Sequence, residues 1–234
     1  MKLCTIVTES AWLKLLESES LVCDDPAHLR DPDNLLAHEW MGEQMTQRLG
    51  PPPPGAKLPL FAWYRLDNGK TKPNAKTWYW EEKEVKLYRL ELVVPDNQAL
   101  LSDGSFWGCV KHDSFVAFTE EEWTAYYEKY GTKPITPELG PEAERLKRLS
   151  WEKLFDLETD RSWGNPEWKN FSVQACLWKI ELSQVTKVQP YVSTGYKWKT
   201  IKPRFRCLHD KIKPPFDQYS EGNITIQCSS DQQP

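Results

Sequence analysis

No stretch of the 234 residues approaches the roughly 18 consecutive apolar residues that a membrane span needs, so no membrane role is expected. The opening apolar run, Leu3 to Val7, is too short for the hydrophobic region of a secretion signal, which predicts a cytoplasmic protein. Histidine is scarce, at four, and the six cysteines (Cys4, Cys23, Cys109, Cys176, Cys207 and Cys228) form no C-x-x-C pair. A reducing compartment leaves such cysteines as thiols. Cys109 with His112 and Cys207 with His209 come nearest to a metal-ligand spacing, but a structural zinc site needs four ligands in recognisable pairs, and no metal is expected. The 11 glycines are dispersed, which excludes a phosphate-binding loop and a dinucleotide fingerprint. No G-x-S-x-G elbow occurs. Ser150-Trp151-Glu152-Lys153 spells S-x-x-K without the companion motifs of serine acyl-enzymes, and a serine starting an amphipathic helix accounts for the same letters.

What the chain does have is aromatic bulk: 12 Trp, 9 Tyr and 8 Phe. Large amphipathic rings therefore supply much of the burial. A formal net charge of −4 argues against a protein that coats duplex DNA, but the charge is unevenly spread. Between 197 and 213 seven cations stand against the single acid Asp210, whereas 9 to 43 holds nine acids against Lys14 and Arg30.

The periodicities predict an α+β protein: a single mixed domain over 1–192, with a bent or split, mainly antiparallel sheet and peripheral helices, and a basic aromatic extension with a polar tail over 193–234. Leu3 to Val7 reads as a strand, and Thr8 caps a helix carrying Trp12, Leu13 and Leu16 that ends near Ser18. Asp33 or Asn34 opens a second helix, closed by Gly50 and Pro51 to Pro54. Leu58 to Leu66 is strand-like, and the turn signal Asp67-Asn68-Gly69-Lys70 predicts its hairpin return at Lys76 to Trp80. Further strands are expected over 85–94, at Ala99 to Leu101 with a stop at Ser102-Asp103-Gly104, over 171–181, and over 185–192. Helices are expected from the capping box at Thr119 to Gly131, and from about 141 to 157 with starts at Pro141 and Ser150.

Alternation along the two hairpin strands places Phe61, Trp63 and Arg65 with Trp78 on one sheet face, bordered by Lys72 and Lys76 in the turn. Rings and a guanidinium on one face suit stacking of a planar ligand, and lysines beside them suit phosphate. Core packing by indoles is the alternative. The extension interleaves Lys197, Trp198, Lys199, Arg204 and Arg206, a composition suited to a protein partner or single-stranded nucleic acid. Docking on the chain's own acidic N-terminal helices accounts for it equally well.

Several blocks together resemble a bacterial family, domain of unknown function 3841. They are Leu3-Cys4-Thr5-Ile6 with Ala11-Trp12; Leu58 to Trp63; Val94-Pro95-Asp96 with Leu100 to Asp103 and Trp107; Ser150 to Asp156; and Gln174-Ala175 with Trp178. A more distant resemblance is to the ADP-ribosyltransferase fold, from the strand, helix and return over Thr5 to Val22 and the late strand bearing Gln174. That resemblance implies NAD as a candidate cofactor and makes Gln174 and Thr5 the catalytic positions, both holding the ribose. In such chemistry a carboxylate stabilises the positive charge that grows on the ribose as nicotinamide leaves. The amide of Gln174 stands where that carboxylate would be, and Thr5 stands where the first strand carries arginine or histidine. Oligomeric state is not legible in the sequence.

Overall fold

The computed structural model describes residues 1–29, 34–66, 83–131, 140–159 and 172–194. They fall within one compact unit, Met1–Tyr196; a second unit, Lys197–Pro234, lies outside the described residues. The first unit is built on a six-stranded antiparallel sheet in the order β5-β6-β3-β1-β4-β8, with a two-stranded sheet β2-β7 beside it. The strands are β1 (Lys2–Thr8), β2 (Ser20–Val22), β3 (Leu60–Arg65), β4 (Lys83–Val93), β5 (Ala99–Asp103), β6 (Val173–Leu177), β7 (Lys179–Glu181) and β8 (Val185–Thr194). Among the described residues five α-helices flank them: α1 (Glu9–Ser18), α2 (Leu35–Leu49), α3 (Gly104–Lys111), α4 (Glu120–Tyr130) and α5 (Gly140–Ser150). None of the described helices is long and apolar enough to cross a membrane.

Register separates two cores. Residues opposite one another in an antiparallel pair share a sheet face. Phe61, Cys176 and Leu100 are aligned across β3, β6 and β5 and pack with Trp40, Met41 and Met45 of α2 and Trp107 and Val110 of α3. Their neighbours Ala62, Ala175 and Leu101 are aligned on the other face, where Leu3, Leu90 and Leu92 pack with Leu15 of α1, Leu21 of β2 and Ile180 of β7. The sheet is thus apolar on both faces, with α2 and α3 on one and α1 with the small sheet on the other.

Several local expectations change. The strand over 171–181 divides at Trp178: β6 stays in the large sheet while β7 turns to pair with β2. The partners of β3 among the described residues are β6 and β1, not a hairpin return, and the expected return at 76–80 lies outside the described residues. Ser102-Asp103-Gly104 does not end in a loop. Asp103 accepts from the amides of Ser105 and Phe106 and so starts α3 directly from β5. The helical stretch expected from about 141 to 157 is divided at Ser150, which precedes a 3-10 helix as its N-cap position but makes no side-chain cap bond there. Ser150 is the last residue of α5, its hydroxyl donating to the Lys147 carbonyl at 2.6 Å and accepting from the Val116 amide at 2.9 Å, and the chain runs on into a 3-10 turn over Trp151–Phe155.

Lys147 anchors this helical end. Its side chain is 1% exposed, yet the ammonium lies 2.6 Å from both Asp113 and Glu144, whose carboxylates are half-exposed. The four-carbon stem is buried and the ammonium lies 5.6 Å from the Trp151 ring centroid, while its two counter-charges sit at the rim. Replacing it tests which half matters, since the two carboxylates can rehydrate but a void cannot fill. Lys147→Met is expected to cost under about 1.5 kcal/mol, and Lys147→Ala about 3 kcal/mol. Urea unfolding of both variants measures this, and equal losses would assign the stability to the ion pairs instead.

Candidate functional site

β1 pairs with β4 along its whole length, Lys2 to Thr8, but meets β3 in register only at Cys4 opposite Trp63. Beyond that pair the two strands part, and the Thr5 hydroxyl spans the start of the gap by donating to the Phe61 carbonyl at 2.9 Å. A cavity of about 750 Å3 occupies the opening, bordered by Cys4 to Thr8 on one side and Leu60, Phe61 and Trp63 on the other. Its volume lies in the range of ordinary small-ligand sites.

The cavity passes between the strands and draws on both faces of the sheet. On the face of α2 and α3 stand His38, Trp63, Trp107, Gly104, Gly108, Lys111 and Gln174. Phe61 stacks on Trp107 with centroids 5.1 Å apart, and His38 meets both rings edge-on at 5.3 and 5.4 Å. This aromatic wall is rigid because Phe61 and Trp107 also belong to the core. On the face of α1 and the small sheet stand Ser10, Lys14, Leu21, Cys23 and His28. α1 starts at the cavity's edge because Thr8 caps it, its side chain accepting from the Ala11 amide.

Of the ligand-binding and catalytic positions expected from sequence, Thr5, Phe61, Trp63 and Gln174 line this one cavity. Thr5 and Gln174 nevertheless lie on opposite faces: Thr5 is aligned with Leu90, whereas Gln174 is aligned with Trp63 and hence with Cys4. Gln174 is 3% exposed, and its amide donates to the Ser102 hydroxyl at 3.1 Å. Arg65 is not in the lining. A bulge between Trp63 and Arg65 sets Arg65 opposite Val173, so strict alternation fails and Arg65 turns to the other face, exposed, with its guanidinium 5.4 Å from the Tyr64 ring centroid. Lys72, Lys76 and Trp78, together with Lys197, Trp198, Lys199, Arg204 and Arg206, lie outside the described residues.

Sequence reasoning missed His38, Trp107, Gly104, Gly108, Lys14 and Lys111. The spacing Gly104, Trp107, Gly108, Lys111 is one face of a helix, and it was legible once Asp103 was taken as a helix cap.

The chemistry this lining can perform is limited by protonation. Burial pushes the Cys4 thiol above its ordinary value, opposed by a hydrogen bond from Arg89 Nε at 3.1 Å. Burial likewise raises Cys23. Both are neutral thiols near pH 7, not thiolate nucleophiles. Among the described residues the wall carries two lysines and two histidines and no carboxylate. Such a surface stacks planar groups and donates hydrogen bonds.

The two glycines of α3 differ in a way that isolates the Trp63 contact. A Cβ on Gly104 would stand 2.8 Å from Trp63 Cζ3 and 3.2 Å from the Ser172 carbonyl, whereas a Cβ on Gly108 meets nothing within 4 Å. Gly104→Ala is expected to destabilise by about 1–3 kcal/mol through displacement of the indole. Gly108→Ala is expected to stabilise by up to about 1 kcal/mol through helix propensity. Thermal melts of the two variants compare them, and a neutral Gly104→Ala would show that Trp63 is not held by that approach.

The sequence pattern of a family described as a domain of unknown function (DUF3841) matches residues 3–186. No curated protein and no solved structure matches the chain.

Proposed function

We propose that this chain, which belongs to the DUF3841 family over residues 3–186, is a binding module whose split sheet takes up a small ligand bearing a planar ring. The observation that carries this reading is the cavity between β1 and β3, walled by Phe61, Trp63 and Trp107 and bordered by Thr5 to Thr8 of β1, which have no register partner in β3. Rings offer stacking, which contributes about 1–3 kcal/mol per base in aromatic nucleic-acid sites. The β1 edge facing away from β4 offers backbone donors and acceptors over Thr5 to Thr8, as any strand edge does. Stacking plus strand-edge hydrogen bonds is a recognition scheme for a heterocycle. The basic segment bearing Lys197 to Arg206, and with it capture of a protein or a single strand, has no part in this reading.

An NAD-using transferase is the second reading, favoured by Thr5, Trp63 and Gln174 lining one cavity. Against it, the Thr5 hydroxyl is engaged by the Phe61 carbonyl and the Gln174 amide by Ser102. Neither group supplies the negative charge that an oxocarbenium-like transition state requires. Binding without transfer is therefore the stronger conclusion.

Filling the cavity tests it. Gly108→Leu projects a side chain from α3 into open space. Adenosine and nicotinamide, followed by tryptophan quenching and by calorimetry, are expected to give a saturable response for at least one of them with the native chain. Gly108→Leu is expected to abolish that response while its melting temperature is maintained. Undiminished binding by Gly108→Leu, or no saturable response to either compound in the millimolar range, would remove the reading.

A further inference from the structure

The two ends of the cavity differ in chemistry. The rings of Phe61, Trp63 and Trp107 lie on the face of α2 and α3, while Ser10, Lys14 and His28 lie on the face of α1. A ligand that fills both ends crosses the sheet between β1 and β3, with its planar part at one end and a different group at the other.

Lys14 and His28 come from different elements, α1 and the 3-10 turn Pro26–His28, and Asp24 gathers them. Lys14 Nζ lies 2.7 Å from Asp24 Oδ2, and His28 Nδ1 lies 3.2 Å from Asp24 Oδ1. An ammonium has three donors, of which Asp24 takes one. Ser10 adds a hydroxyl 3.0 Å from that of Thr8. Asp24 itself is not in the cavity wall, and Glu9 in the first turn of α1 is drawn toward Lys86 at 3.2 Å. The α1 end therefore presents hydrogen-bond donors to the cavity, including the Lys14 ammonium, while the carboxylates of Asp24 and Glu9 are outside the lining. A neutral sugar or amide would not need that charge, whereas a phosphate monoester carries up to two negative charges and accepts several charge-assisted bonds.

Resting on the ring-binding reading above, we propose that the occupant is a phosphate monoester of a heterocyclic nucleoside, its ring against the Trp63 and Trp107 wall and its phosphate at Lys14, beside Ser10 and His28. Asp24 is the internal counter-ion that holds the lysine in place and competes with the ligand for it.

Calorimetric titration with AMP, adenosine and inorganic phosphate, at fixed ionic strength, tests the assignment. AMP is expected to bind about tenfold or more tighter than adenosine, and inorganic phosphate to bind weakly and compete with AMP but not with adenosine. Lys14→Met, on a half-exposed helical position, is expected to bring AMP to within about twofold of adenosine and leave adenosine unchanged. Asp24→Asn is expected to tighten AMP by about threefold, an outcome that damage to the fold does not produce. If adenosine binds and AMP binds no tighter, or Lys14→Met spares the AMP preference, the phosphate assignment is overturned while the ring site stands. If none of the three compounds binds, the phosphate assignment falls, and the ring site falls with it where nicotinamide also gives no saturable response.

Discussion

The geometry of the molecule depends on how little of its edge β1 gives to β3. A strand in the middle of a sheet ordinarily spends both edges on hydrogen bonds, because a buried backbone group left unpaired costs about 1–3 kcal/mol. Here one edge is fully paired with β4 while the other keeps, among the described residues, a single register pair, Cys4 with Trp63. The surrounding elements hold the strands apart. β1 passes directly into α1 at Thr8, and α1 turns the chain back into β2, which pairs with β7 rather than with the large sheet. The chain from β2 is then tied to the start of β3 by the bridge between Cys23 and Leu58. The path β1, α1, β2, β3 thus makes a ring around the gap, and the two hydrophobic cores pull on it from opposite faces.

The late part of the chain enforces the same split. β6 completes the large sheet beside β3, then Trp178 carries the chain out of that plane so that β7 can meet β2. Trp178 is fixed in this corner by a hydrogen bond from its indole to the Gly50 carbonyl at 3.2 Å and by the close approach of its ring to Gly42 of α2. α2 thereby braces the corner on the face that also carries the aromatic wall. The cavity is a consequence of strand routing, and the side chains that line it are those the routing leaves at its border.

This explains which features were legible in the sequence. Periodicity located most strands and helices, and the Thr8 and Thr119 caps, because capping and alternation are local properties. The α+β class followed from them. Pairing was not local. The run over 171–181 alternates as one strand, and nothing in its letters marks Trp178 as the point of transfer between sheets. Strict alternation grouped Arg65 with Phe61 and Trp63, but a bulge adds a residue without changing the pattern of apolar letters and so reverses the face. Asp103 was readable both as a turn residue and as a helix cap. The turn reading hid α3, and with it four of the residues that line the cavity.

The same routing bears on the choice between binding and catalysis. Thr5 and Gln174 reach one cavity from opposite faces of the sheet, each already bonded within the fold: Thr5 to a carbonyl of the strand across the gap, Gln174 to Ser102 of the neighbouring strand. These bonds stabilise the opening itself. The Thr5 bond partly offsets the pairing that β1 and β3 forgo, and the Gln174 bond satisfies an amide that is almost fully buried. A group committed to holding two strands in place cannot reorganise around a developing charge without loosening the walls of its own site. Stacking against Phe61, Trp63 and Trp107 asks for no such reorganisation, because it leaves both of these bonds in place.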